Sequence, residues 1–180
     1  VQPGLDAWEG APDDAERGFT PHTSIPKAYL RWLQRSDREQ VHELQVLRVL
    51  ALFERPVPRA LFHRVCAAGI PHVSDRLAAS RSDAIAALAR LEGQELVRTQ
   101  SDRLHRHALT RQAVREHYQE DDREAWLRGQ AWLFEHYRAR SRPETEQRTR
   151  AHTDASLQAI EHACAAGLHP RALERVVWHD

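Results

Sequence analysis

This 180-residue chain contains no methionine, only two cysteines and only seven glycines. Its longest apolar runs fall well short of the roughly 18 residues that a membrane span requires, and no charged-then-apolar N-terminus reads as a signal peptide. Cys66 and Cys164 lie far apart in the sequence, so neither a disulfide framework nor a Cys-x-x-Cys zinc site is implied. Two buried thiols in a reducing, cytoplasmic setting are the expectation. The glycines form no phosphate loop and no dinucleotide fingerprint. There is no His-Glu-x-x-His helix and no Gly-x-Ser-x-Gly elbow. His162 stands near Cys164, but residues two apart on a helix do not face each other. No constellation supports an enzyme. A missing initiator methionine is expected of a processed product or of a piece of a longer protein.

Charge of one sign is also lacking. The 26 basic residues balance 26 acidic ones, whereas phosphate-backbone binding normally comes with a basic excess. Only Lys27 among the basic residues is lysine, a skew that fits the codon usage of a GC-rich genome. The twelve histidines are scattered, not gathered in a metal-binding tract. With 41% hydrophobic and 29% charged residues, the chain belongs to the ordinary globular class.

What is present is helical. Residues 1–23 contain Pro3, Gly4, Gly10, Pro12, Gly18 and Pro21 and read as a linker or the end of a preceding domain. Ser24 and Pro26 open a helix over about 24–35, with Tyr29, Leu30, Trp32 and Leu33 on its apolar side. A second helix over about 38–54 is apolar nearly all round, as a central helix must be, and Arg55-Pro56-Val57-Pro58 stops it. A helix over 58–68 ends before Gly69, and 70–80 reads as a loop. Ser82 caps a helix over 83–92, with Ile85, Leu88 and Leu91 as its buried side. Leu96–Thr99 and Arg103–Arg106 form a hairpin about Gln100-Ser101-Asp102.

A helix over 108–119 follows. Asp121 and Glu124 then form a capping box for a long helix over 122–140. Its Trp126, Phe134 and Tyr137 read as packing core. A helix over 146–166 carries Leu157, Ile160 and Cys164 at helical spacing and stops at Gly167. Pro170 begins a last helix through Trp178.

Three helices followed by a two-stranded hairpin is the order of a winged helix. The expected fold is therefore mainly α: a winged-helix domain over 24–120, then TPR-like helical hairpins over 121–180. His105 and His107 fall on one face of the second strand, where they could meet a solvent, an anion or a metal. A DNA-reading winged helix sends its third helix into the major groove. Here that helix offers only Arg90, with Arg81 at its edge. The hairpin adds Arg98, Arg103 and Arg106. Nucleic acid is thus the less favoured partner, and a winged-helix transcriptional regulator the alternative reading.

Several blocks together resemble bacterial STAND NTPases of the NB-ARC/NACHT type. They are Glu43–Pro56, Ala84–Leu91 with Glu95-Leu96-Val97, Val114–Tyr118, Leu133–Ala139 and, most specifically, Ala159–Trp178. Lys27–Leu33 resembles the helix leading into the family's winged helix. The resemblance spans roughly 24–180. It implies a non-catalytic, cytoplasmic control segment. The nucleotide-binding domain, with ADP or ATP and Mg²⁺, would lie elsewhere in the same polypeptide. A C-terminal repeat sensor and an oligomer formed on activation would complete the system. In that family a histidine between wing and following helix contacts bound ADP. The resemblance places this contact on His107, on His105 in a family-like Leu-His pair, or on Arg111 if Val114–Tyr118 anchors an ungapped alignment. Neither histidine is flanked by the motif's methionine and aspartate. No P-loop or acidic Mg²⁺ motif is present, so no ATP hydrolysis is expected of these residues. A ligand biases two conformations only through contacts that differ between them, and a side chain reaching a diphosphate in one domain arrangement meets that condition.

Overall fold

The computed structural model describes residues 41–106, 108–141 and 149–168. The expected lead-in over 1–23, the helices over 24–35 and 170–178, and His107 lie outside these residues. Among the described residues the chain is mainly helical, with seven helices and one small three-stranded antiparallel sheet.

Helix α1, Val41–Ala51, is the hub. Eight of its eleven residues are buried, as expected of a helix apolar around its circumference. Its two buried polar side chains both have partners. Gln45 donates to Asp75 Oδ1 at 2.8 Å and accepts from the Leu77 amide at 3.3 Å. Glu43 pairs with Arg90 at 2.5 Å. Buried polar groups are tolerated when bonded in this way.

Strand β1, Val57–Pro58, is only two residues long and escapes a sequence reading that sees Pro56 and Pro58 as a stop. It pairs antiparallel with β3, Arg103–Arg106. Strand β2, Val97–Gln100, pairs with β3 on the other side. The order β1-β3-β2 therefore puts the last strand in the middle. A two-residue turn joins β2 to β3, with Ser101 at φ 48° and Asp102 at φ 60°. This is the left-handed pair that a tight hairpin requires. The Asp102 carbonyl accepts from the Arg59 amide at 3.0 Å, which fixes the hairpin tip to the start of helix α2, Arg59–Ala67.

The stretch expected to be a loop contains helix α3, Asp75–Ala79. Ser74 explains it. Its hydroxyl donates to the Val65 carbonyl at 2.8 Å and accepts from the Ile70 amide at 3.1 Å, and Gln45 holds the helix from below. Helix α4, Arg81–Gly93, begins two residues earlier than expected. Ser80, not Ser82, is its N-cap, accepting from the Asp83 amide at 3.3 Å. Its buried face is Ala84, Ala87, Leu88 and Leu91. Ile85, expected inside, is 48% exposed, because the two alanines bring α4 close enough to its neighbours to exclude it.

Helix α5, Ala108–Asp121, buries Ala113, Val114 and Tyr118. Helix α6, Arg123–Ser141, is capped by Asp122, whose Oδ1 accepts from the Ala125 amide at 3.1 Å. The cap thus sits one residue beyond the expected Asp121. Trp126 and Leu133 join the main core and Phe134 is buried in a smaller cluster, while Tyr137 is half-buried against both.

Helix α7, Arg150–Ala165, starts at a capping box between Thr149 and His152. It ends at Gly167, whose φ of 71° lets the Leu168 amide reach back to the Ala163 carbonyl at 2.8 Å, the usual C-terminal stop. The expected apolar stripe of α7 is turned outward. Leu157 is 56% exposed and Cys164 is exposed. The buried face is instead Ala155, Ala159, His162 and Ala163. Small side chains let α7 lie close against α6, so close approach wins over the bulk of Leu157.

Candidate functional site

Of the residues that the sequence singled out, His105 stands on β3 and Arg111 near the start of α5. His105 lies on β3 opposite Arg98 and is half-buried. Next to it Leu104 is fully buried between Val57 and Thr99, which anchors the strand. Arg111, one turn into α5, donates from Nη1 to the Glu54 backbone carbonyl at 2.6 Å and to Glu54 Oε2 at 3.1 Å. Arg115, a turn further, pairs with Glu54 Oε1 and covers the Trp126 ring at 5.3 Å. Glu54 follows the end of α1, so one carboxylate ties α5 back to the hub. His107 lies outside the described residues.

The sequence reading counted Arg106, the last residue of β3, only among the basic residues of the hairpin. Its Nε and Nη2 are buried and have no hydrogen-bond partner. Burial lowers its pKa to about 10, with Arg111 pushing the same way and Glu54 opposing. It remains a cation at neutral pH. Three arginines and one carboxylate therefore share this corner, a local positive excess inside a chain of zero net charge. An acceptor is the chemical complement of an unpaired guanidinium. The only advance signal was the density of arginine around the strand-to-helix junction.

A second polar centre was not foreseen at all. The Leu52 carbonyl, beyond the last turn of α1, accepts from Gln130 Nε2 at 3.0 Å. Gln130 Oε1 lies 2.6 Å from His162 Nδ1. Gln130 and His162 are each 1% exposed. The His162 ring stacks on Tyr137 at 5.4 Å and 11° and meets Phe53 edge-on at 5.9 Å and 86°. Gly129 makes room for this approach: a Cβ there would stand 2.8 Å from both methyls of Leu52.

Among the described residues no group of three or more His, Cys, Asp or Glu is placed to hold a metal ion, and no helix is long and apolar enough to cross a membrane. The Cys66 thiol is buried and its pKa is pushed up to about 12 by burial, which makes it inert. The exposed face of α4 presents Arg81, Asp83 and Arg90 beside Ser82, Ile85, Ala86 and Ala89, with no Asn or Gln to read an adenine edge. Comparison of the chain with protein-family models, with curated proteins and with solved structures gave no match.

Proposed function

We propose that this chain is a non-catalytic regulatory segment of a STAND-type signal-transduction ATPase, in which a winged helix and the first TPR-like helices relay the state of a C-terminal repeat sensor to a nucleotide-binding domain. The observation that carries this reading is the topology. Helix, short strand, three helices and a hairpin, with the first strand paired to the last, is winged-helix order, and α5 then leads into the packed α6–α7 pair. Glu43–Pro56, Ala84–Leu91, Val114–Tyr118 and Leu133–Ala139 of the sequence resemblance fall in this order on α1, α4, α5 and α6.

The corner formed by Arg106, Arg111, Arg115 and Glu54 supports a contact to an anionic group such as a nucleotide phosphate. The buried Nε and Nη2 of Arg106, which have no hydrogen-bond partner, favour an anionic acceptor brought by another domain. His107, by its place between β3 and α5, would share that contact. The zero net charge of the chain and the absence of Asn or Gln from α4 support packing on protein over reading of DNA.

The test is to read the coding sequence upstream of Val1 in the same frame. A glycine-rich loop ending in Gly-Lys-Ser/Thr, followed by an acidic strand, is the expected result. A start codon nearby with no such domain would overturn the reading. The purified 180 residues should also show no ATP hydrolysis above a protein-free control, and turnover by this segment would contradict its non-catalytic role.

A further inference from the structure

We propose that the Leu52 carbonyl, Gln130 and His162 form a proton-sensitive latch that holds α7 on the end of α1, closed while His162 is neutral. The inference does not depend on the identity of the chain's partners.

The directions of the hydrogen bonds follow from what each atom can do. The Leu52 carbonyl only accepts, so the amide nitrogen of Gln130 must face it. Gln130 Oε1 is thereby turned to His162 and also only accepts, so Nδ1 must carry the imidazole proton. One orphan carbonyl at the end of α1 thus dictates the tautomer of a histidine two helices away. His162 Nε2 is left as a bare, buried lone pair without a hydrogen-bond partner.

A proton can add only at Nε2, and nothing there offsets its charge. The titratable groups facing the ring are His136 and Tyr137, both from α6. The end of α1 presents Phe53 and the Leu52 carbonyl already engaged by Gln130. Glu54, next in the chain, is held by Arg111 and Arg115. On α7 itself, Glu161 accepts from Gln158 at 3.1 Å and acts on Tyr137. Burial pushes the His162 pKa down from 6.5 to about 4, and His136 pushes the same way.

Partial opening is costly. Withdrawing Gln130 strands the Leu52 carbonyl and His162 Nδ1–H together in an apolar setting, and a half-satisfied buried network is worse than none. Docking of α7 is therefore all-or-none, the behaviour of a two-position element. The rest of the α6–α7 contact is Phe134 and Tyr137 of α6 against Ala159, Ala163 and Leu168, a smaller apolar area than the main core offers to hold the helix once the relay breaks.

The test is an NMR titration of the full 180-residue chain from roughly pH 7.5 to about 3.5, following imidazole nitrogens and backbone amides. His162 should stay the Nδ1–H tautomer until well below the ordinary histidine range. The amides of Ala155, Ala159 and Ala163 should then shift at its midpoint, while those of Val46, Val49 and Leu50 stay put. A His162 midpoint near 6.5, or α7 and α1 changing together, would overturn the latch. His162→Phe keeps an aromatic ring between Phe53 and Tyr137 and should abolish the α7 acid transition; an unchanged transition would overturn the proposal. Should that variant not fold, Gln130→Glu decides. A carboxylate facing Nδ1 should raise the His162 midpoint by about one unit or more, and an unmoved midpoint would count against the latch.

Discussion

The main core and the α6–α7 cluster are built from different materials. Around α1 the buried residues are large and mostly aliphatic: Val46, Val49, Leu50, Phe62, Val65, Leu88, Leu91 and Leu104 are all essentially inaccessible to solvent. Between α6 and α7 the buried set is Phe134, Ala159 and Ala163, joined by the polar pair Gln130 and His162. The first core is held mainly by apolar area, with the Glu43–Arg90 pair at its edge. The second is held by close approach and by one hydrogen-bonded relay, so it is the part that conditions can move.

The largest expected effect breaks the first side of this comparison. Phe62→Ala removes a fully buried ring from the main core and should cost about 3–5 kcal/mol. Urea unfolding should show the midpoint falling for α1 and α7 signals alike, because α6 is itself rooted in that core through Trp126 and Leu133.

Acid should act more strongly on the other side, although burial also lowers the pKa of His63 on α2. The folded-state pKa of His162 is depressed to about 4 from 6.5, so its contribution to stability is complete above 6.5 and is lost progressively as the pH falls toward 4. The full loss amounts to roughly 3 kcal/mol. Thermal unfolding followed across that window should show stability declining in the wild type and declining less in His162→Phe.

Gly129→Ala sharpens the comparison at the seam. The added methyl meets both Leu52 methyls, and overpacking of about 1–2 kcal/mol is expected in denaturant melts. Trimming Leu52 to Val in the same chain should return part of that loss, as coupled neighbours do. The smallest effect belongs to Ser80→Ala, which removes the α4 cap and should cost about 1 kcal/mol with no change in acid sensitivity.

A thiol count separates the regions without a mutation. With a bulky aromatic disulfide reagent at neutral pH, Cys164 should react in the folded chain, because it is exposed. Cys66, buried with its pKa near 12, should react only after denaturation.

Wherever one strong local signal decided the outcome, the sequence was legible. The all-round apolar pattern marked α1 as central, Gly69 and Gly167 marked helix ends, and Ser101-Asp102 fell within the expected hairpin turn. Trp126 and Phe134 went inside as the aromatic pattern implied. Failures came where tertiary contacts chose among local options. β1 exists because β3 pairs with it, and α3 because Gln45 and Ser74 hold it. Ile85, Leu157 and Cys164 face outward because neighbouring alanines pack more closely than larger side chains can. At the candidate site, His105 and Arg111 were legible as polar residues near a strand-to-helix junction. Arg106 was legible as a basic hairpin residue, but not the burial of its Nε and Nη2 without a partner, which depends on what surrounds it. The relay through Gln130 joins residues 78 and 32 positions apart, a separation at which no short pattern could reveal it.

Native-state hydrogen exchange at neutral pH tests the two-core account most directly. The account predicts that α7 amides such as Ala159 and Ala163 exchange through a local opening of clearly lower free energy than α1 amides such as Val49 and Leu50. It also predicts that Gln130→Leu lowers the α7 value while leaving the gap between α1 opening and global unfolding unchanged. One common opening free energy for both helices, before and after that substitution, would contradict it.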